Sequence, residues 1–376
     1  MSTPLHPSPH RILVRGVNWL GDAVMTTPAL LRLGETFPDA AITLLCPEKL
    51  AELWKHHPAI SEVITFAPEE NVFAVGRKLR SVKFDLALVL PNSPRSALET
   101  YLGKIPQRIG YARPWRNFFL TKIVESRAGA VKMQKRSAAE IKQLMIAGQD
   151  RQLPPAKAAP KLPASAHQMH EYLHLAAALG ANPEPLAPQL FVTDEEVEAA
   201  KIKFGLDKTP RAIYGLNPGA EYGPAKRWPL GRFIATAQHV QSQNNCLWLL
   251  FGGKNDEAAA AQIHSALGNR QSAINVAGKT SLRELMALLK LCRVLLTNDT
   301  GPMHVAAALG TPVVVPFGST SPELTGPGLP GDPRHQLLKA SVPCSPCFLR
   351  ECPIDFRCMN GIGIERVVEA VIRAGH

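Results

Sequence analysis

Four short stretches of the 376-residue chain place polar residues where apolar runs end, and these are the places where chemistry can be housed. In "GVNWLGDAVMTTPAL" a carboxylate, Asp22, follows Gly21 between a strand-like run and a helix-like one. An acid there can act as a general base or as a first-turn acid that complements the helix macrodipole, and spacing alone favours the second. In "NPGAEYGPAKRWP" a Pro-Gly turn leads to Glu221, another glycine and Lys226. The ammonium can pair with a diphosphate as a point charge or stand as a solvated surface lysine. The glycine-rich turn favours the first, since it implies that backbone approaches something closely. In "TNDTGPMHVAAALGTPVVVPFGSTSPE" the residues Asp299, Thr300 and Gly301 stand where a strand gives way to a helix. Free N–H groups at such a junction suit a phosphate, and an acid suits sugar hydroxyls. His304, on the first helical turn, either donates to an anion or packs as a structural histidine.

The fourth stretch, "CSPCFLRECPIDFRC", holds Cys344, Cys347, Cys352 and Cys358. Four cysteines in fifteen residues raise a zinc or iron–sulfur site. The separations of two, four and five residues match no strong zinc ribbon, and disulfides or free thiols fit the same spacing. Cys46, Cys246 and Cys292 lie in apolar runs and read as core.

The elements that must position these residues alternate between strand and helix. Apolar strands are expected at 11–15, 41–47, 62–66 and 84–92, with a helix after the first. A Pro-, Ala- and Lys-rich middle follows, in which residues 152–165 carry four prolines and read as loop. Helix returns at 167–179, and "GANPEPLAPQL" reads as a linker. The second half restarts the alternation with strands in "AIYGLNPG", "CLWLLFGG", "AINVAG", "VLLTND" and "PVVVPFG", separated by helices. The fold class is α/β, with two Rossmann-like doubly wound domains whose polar loops follow strand C-termini, and a ligand cleft expected where the two domains face each other.

Length also favours two domains. An apolar fraction of 45% excludes disordered and fibrous classes. Without an apolar run of eighteen residues no spanning helix is expected, and the N-terminus lacks a secretory h-region, so a cytoplasmic protein is expected. The net charge of +11 concerns partners rather than fold. No zinc-finger spacing, RNP motif or helix-turn-helix accompanies it, so nucleic acid is the weakest partner class. The cations at Arg77, Lys78, Arg80, Lys83, Arg108, Arg113, Arg116, Lys122 and Lys132 to Arg136 read either as a solvated face or as a partner-binding one.

With those strings in place, "ILVRGVNWLGDAVMTTPAL", "FDLALVLPNSPRSAL", "NPGAEYGPAKRWP" and "LTNDTGPMHVAAALGTPVVVPFGSTSPE" together resemble the ADP-heptose:lipopolysaccharide heptosyltransferases, glycosyltransferase family 9, closest in wording to heptosyltransferase II. The resemblance covers most of the chain. It implies a GT-B fold, with an acceptor-binding domain over 1–185, an ADP-heptose-binding domain over 186–360 and a last helix over 361–376 that can pack back on the N-terminal domain. It implies an inverting transfer of heptose to the first heptose of Kdo–lipid A, with no required cofactor and no metal bound through Asp-x-Asp. By resemblance Asp22 is the general base and Lys226 contacts the donor phosphates. Asp299 holds sugar hydroxyls, Thr300 and Gly301 cradle the diphosphate, and His304 lies nearby. Asp256 or Glu257 matches the ribose-binding acid, Thr280 falls in the adenine loop, and Glu221 joins the donor set. The acceptor's carboxylates and phosphates imply peripheral docking of the basic N-terminal domain on the anionic inner face of the inner membrane. The alternatives are heptosyltransferase I, another nucleotide-sugar transferase of the family, or a non-catalytic nucleotide- or carbohydrate-binding protein.

Overall fold

A computed structural model of the chain describes residues 9–147, 162–268 and 272–375. Much of the proline-rich loop expected at 152–165 lies outside the described residues. The chain divides into two compact units: the residues up to Ala130 with Gln168–Phe191, and Val131–His167 with Val192 onward.

In the first unit β1 (Arg11–Arg15), β2 (Ala41–Pro47), β3 (Glu62–Phe66), β4 (Leu86–Val89), β5 (Gln107–Tyr111) and β6 (Lys122–Val124) form one parallel sheet in the order β3-β2-β1-β4-β5-β6. Val14 of β1 stands between Leu44 and Leu88. Helices cover the faces of such a sheet, so its central strands must be apolar on both sides, which is why they are readable as unbroken apolar runs. The second unit repeats the plan with β7 (Ala212–Asn217), β8 (Cys246–Leu250), β9 (Ala273–Asn275), β10 (Val294–Thr297), β11 (Val313–Phe317) and β12 (Gln336–Lys339) in the order β12-β11-β10-β7-β8-β9. Both orders reverse direction in the middle, between β1 and β4 and between β7 and β10. At such a switch point neighbouring loops diverge and leave room for a ligand at the strands' C-terminal ends.

Three strands were not expected from the sequence: β5, β6 and β12. They carry Gln107, Arg108, Lys122, Gln336 and Lys339 and lie at or next to a sheet edge. There the neighbouring ladder, rather than an apolar run, recruits the chain.

The structure also redraws the domain limits. Residues 131–167, expected in the N-terminal domain, belong to the second unit. Arg136 donates its N–H to the Cys347 carbonyl (3.1 Å) and its guanidinium to that of Pro343 (2.8 Å). Ile141 packs with Cys344 and Cys347, and the His167 ring bonds the Gly326 carbonyl at 2.9 Å. The last helix, Ile364–Gly375, is likewise part of the second unit. Its Val367, Val368 and Val371 enter the core that holds Trp228, Phe233 and Trp248. A helix with one strongly apolar face is held wherever that face is buried.

A buried ion pair fixes the middle of the first sheet. Arg15, at the end of β1, meets Glu99 of helix Pro94–Leu102 at 2.8 Å, and both side chains are buried. Its guanidinium lies over the Phe66 ring and bonds the Gly16 carbonyl and Asn18 Oδ1. The other Glu99 oxygen accepts from Arg95 at 2.9 Å. Removing the carboxylate strands a buried guanidinium. Glu99→Ala is therefore expected to destabilise the first unit by about 3–5 kcal/mol, seen as a lower urea midpoint for that unit's transition.

Candidate active site

In the first unit the loop from Gly16 to Trp19 leaves β1 and opens helix Leu20–Thr36. The Gly16 N–H donates to the Leu45 carbonyl (2.9 Å), and the Arg15 guanidinium grips the loop from below. Trp19 caps this helix without a side-chain bond, so the half-buried Asp22 supplies the anionic charge of the first turn. Gln168 donates to Asp22 Oδ1 at 3.4 Å and to the Tyr172 hydroxyl at 2.9 Å, both from the segment packed against this helix. Burial, and then the Asp22 charge, push the Tyr172 phenol well above its ordinary value, so it stays neutral. Asp22 thus sits at the first switch point, half-open and oriented by an amide.

Arg116, read from sequence as part of a basic face, is instead fully buried beside the loop after β4. It donates to the Pro91 carbonyl (2.8 Å) and to Asn92 Oδ1 (3.3 Å). Burial, and then repulsion from Arg113, bring its pKa down to about 10, so it remains charged at neutral pH.

In the second unit the candidate residues all fall on the connections that follow strand C-termini: Glu221 and Lys226 after β7, Asp256 after β8, Thr280 after β9, and Asp299, Thr300, Gly301 and His304 after β10, the last two on the helix that begins there. Three of them meet. Lys226 Nζ lies 2.6 Å from Asp299 Oδ2, which also accepts from the Thr320 hydroxyl at 2.5 Å. His304, on helix Gly301–Ala308, is buried within electrostatic reach of Asp299 and Lys226. Thr300 N-caps that helix with no side-chain bond of its own.

Asn298 holds these loops in place. Its amide donates to the Pro218 carbonyl (2.7 Å) while its Oδ1 accepts the Trp228 N–H (2.9 Å), and neighbouring Asn217 donates to Thr297 (3.1 Å). The glycines follow the same logic of close approach. A Cβ on Gly219 would run into the Asp256 carboxylate, so any side chain there would displace that acid from its present place. Gly223, at φ +153°, passes so near the Arg350 carbonyl that a Cβ would lie 2.5 Å from it. The close approach expected of this turn is therefore, at Gly223, to the chain's own backbone. Asp256 accepts the Gly253 N–H (3.0 Å) and lies 3.7 Å from Arg227. Glu221 is exposed on the β7 loop, and Thr280 is half-buried just before Ser281, which caps the next helix.

The four C-terminal cysteines are gathered around one small cavity of about 10 Å³, also lined by Ile141, Ala225 and Ser319. Cys344 and Cys347 pack with Ile141, and Cys358 joins the main core. Burial, then their neighbours' charge, raise the thiols of Cys344 and Cys358, the latter to about 12. All four are free, and among the described residues no group of three or more His, Cys, Asp or Glu side chains is placed to hold a metal ion.

Two sheets of this strand order in one chain, each with polar loops at its switch point, define the GT-B class of glycosyltransferase architecture. The family described as glycosyltransferase family 9 (heptosyltransferase) matches residues 72–356, and the chain belongs to it. It is 31% identical over 329 residues to lipopolysaccharide heptosyltransferase 2 of Salmonella typhimurium, covering 84% of this chain and 85% of that protein. It is 30% identical over 323 residues to lipooligosaccharide heptosyltransferase 2 of Haemophilus influenzae, with the same shares covered. The solved structure of Escherichia coli ADP-heptose lps heptosyltransferase II matches with a TM-score of 0.75 at 27% identity, covering 97% of this chain and 98% of that one. A family 9 glycosyl transferase from Veillonella parvula shares the fold at a TM-score of 0.79 and 22% identity, over 99% of each chain.

Sequence reasoning missed Asn217, Asn298, Thr320 and the Arg15–Glu99 pair. Asn298 had a signal: an amide following a fully apolar strand must satisfy its polar atoms locally. Thr320 had none, because only the fold of the loop after β11 carries it to Asp299.

His304 yields a pH dependence. Burial, partly opposed by Asp299, lowers its pKa to about 4, so the folded ring is neutral where the unfolded chain is protonated. Its contribution to stability is intact above the ordinary histidine pKa and is lost as pH falls towards about 4. Ring-nitrogen NMR is expected to show His304 neutral at about pH 5. The loss of stability of the second unit over that window should be shallower in His304→Gln, provided that variant folds.

Proposed function

We propose that the chain transfers L-glycero-D-manno-heptose from ADP-heptose to the first heptose of the Kdo–lipid A inner core, with inversion. The Lys226–Asp299 pair at the second switch point carries this reading, because a cation beside an acid suits a donor with a diphosphate next to a polyol. In the proposed reaction Asp22 takes the proton of the acceptor hydroxyl as its oxygen bonds to the anomeric carbon. The bond from that carbon to the β-phosphate oxygen breaks, and ADP leaves with the electron pair. Lys226 and the helix start at Thr300 and Gly301 receive the charge that develops on the diphosphate. Asp299 accepts from sugar hydroxyls, Asp256 from the ribose, Thr280 borders the adenine, and Glu221 completes the donor set. Neutral His304 stays within electrostatic reach of Asp299. The first unit serves the acceptor and the second the donor.

Similarity favours the second heptose over the first, since the relatives at 30–31% identity are type 2 enzymes and the type 1 enzyme of Pseudomonas aeruginosa stands at 25%. The acceptor is a glycolipid, so the proposed place of work is the cytoplasmic face of the inner membrane. No helix among the described residues is long and apolar enough to cross a membrane, which suits peripheral association.

Incubation with ADP-heptose and a mono-heptosylated acceptor should release ADP and lengthen the core by one heptose. A strain lacking the protein should accumulate core truncated after one heptose. Asp22→Ala is expected to lower kcat by roughly 10²–10⁴-fold with donor affinity retained, and normal turnover would remove Asp22 from the base role. Lys226→Ala is expected to cost about 10²-fold in kcat/KM for the donor, measured by ADP release.

A further inference from the structure

Beside the edge strand of the first unit lies an exposed aromatic cluster that the transfer reaction does not use. Trp115 is 89% exposed, Phe118 80% and Tyr101 42%, and Ile123 of β6 is exposed as well. The rings of Tyr101, Phe118 and Phe119 stand 5.6–6.2 Å apart as one cluster, and Trp115 stands exposed on the loop that leads into it. Trp115 holds a left-handed backbone at φ +64°, which a bulky residue adopts only under constraint. The loop thus presents its largest apolar side chain to solvent at a conformational cost.

Cations predominate in the sequence around the patch, with the exposed Glu125 following β6. Residues 100–124 contain Lys104, Arg108, Arg113, Arg116 and Lys122 and no Asp or Glu. Arg116 is buried, but Lys104 and Lys122 are exposed and the Arg108 guanidinium lies 5.4 Å over the Tyr101 ring. Arg80 adds another cation through its bond to the Leu102 carbonyl (2.8 Å). Tryptophan and tyrosine, amphipathic rings with a polar edge, are the residues that settle at the headgroup level of a bilayer. Lysines and arginines near the surface add attraction to anionic lipid.

We propose that this patch docks the enzyme on an anionic lipid bilayer, with Trp115 and Phe118 entering the headgroup layer and Lys104, Arg108 and Lys122 pairing with lipid phosphates. The transfer reading supplies the reason a bilayer is at hand; the patch itself is independent of it. Docking here would hold the first unit, which serves the acceptor, against the surface that carries the glycolipid.

The full chain is tested by co-sedimentation with phosphatidylcholine vesicles, with and without phosphatidylglycerol. Binding is expected to phosphatidylglycerol vesicles and to weaken with salt. Trp115→Ser combined with Phe118→Ser should lower the partition constant by about tenfold or more, and Lys104→Gln with Lys122→Gln by about tenfold. Circular dichroism and transfer to a delipidated mono-heptosylated acceptor should not change in any of these variants. Transfer to the same acceptor embedded in vesicles should fall in step with binding. Equal vesicle binding by wild type and the aromatic variant would overturn the proposal. So would a concentration-dependent dimer that Trp115→Ser dissolves, because a second copy would then own the patch. No transfer by the wild type to either acceptor, together with vesicle binding that the aromatic variant loses, would count against the heptosyltransferase reading and leave the docking surface standing.

Discussion

The proposed donor residues of the second unit depend on one buried amide. Asn298 follows the last residue of β10, and its side chain ties that strand end to both ends of the connection after β7 that carries Lys226. A buried asparagine is costly unless its donor and acceptor atoms are paired, and here the partners are backbone groups of the connection that must meet the end of β10. Once they are fastened, Asp299, the next residue, has little choice but to face Lys226. The ion pair is a consequence of the clasp, and Thr320 completes it by taking part in the hydrogen bonding of the same carboxylate oxygen.

The first unit solves the equivalent problem with charge. Arg15 occupies the end of β1, where the strand order reverses, and is held by Glu99 while it grips the loop leading to helix Leu20–Thr36. A guanidinium suits this position because its planar fork can serve a carboxylate, a carbonyl and an amide oxygen at once. Asp22 inherits its place from that loop and its orientation from Gln168. In both units the residue proposed to meet substrate is held by neighbours that do not.

The electrostatic arrangement of the proposed donor residues also bears on chemistry. Lys226 lies against Asp299, so its ammonium is held in place and partly neutralised rather than solvated. A diphosphate that approaches Nζ would take over part of that charge without the lysine having to reorganise, and preorganisation of this kind is what makes such groups effective. His304 adds no positive charge, because burial keeps its ring neutral. Cys344, Cys347 and Cys358 pack as buried side chains in the same unit.

The central strands of both sheets, the restart of the alternation in the second half and the strand-to-helix junctions carrying Asp22, Lys226 and Asp299 were legible in the residues. Each depends on local periodicity or on a glycine, proline or acid at a fixed offset, and those are properties of a short window. The pairing of Lys226 with Asp299 and Thr320, the burial of Arg116, the grip of Arg15 on Glu99 and the place of residues 131–167 were not legible. They depend on contacts between segments far apart in the chain, and no local pattern records which loop a sheet brings beside another. The edge strands β5, β6 and β12 fall on the same side of that line, since their polar residues become strands only when a neighbouring ladder is there to receive them. The sequence by itself determined which residues could do chemistry and which strands must be buried; the tertiary structure decided which of those residues meet, because only packing fixes distance.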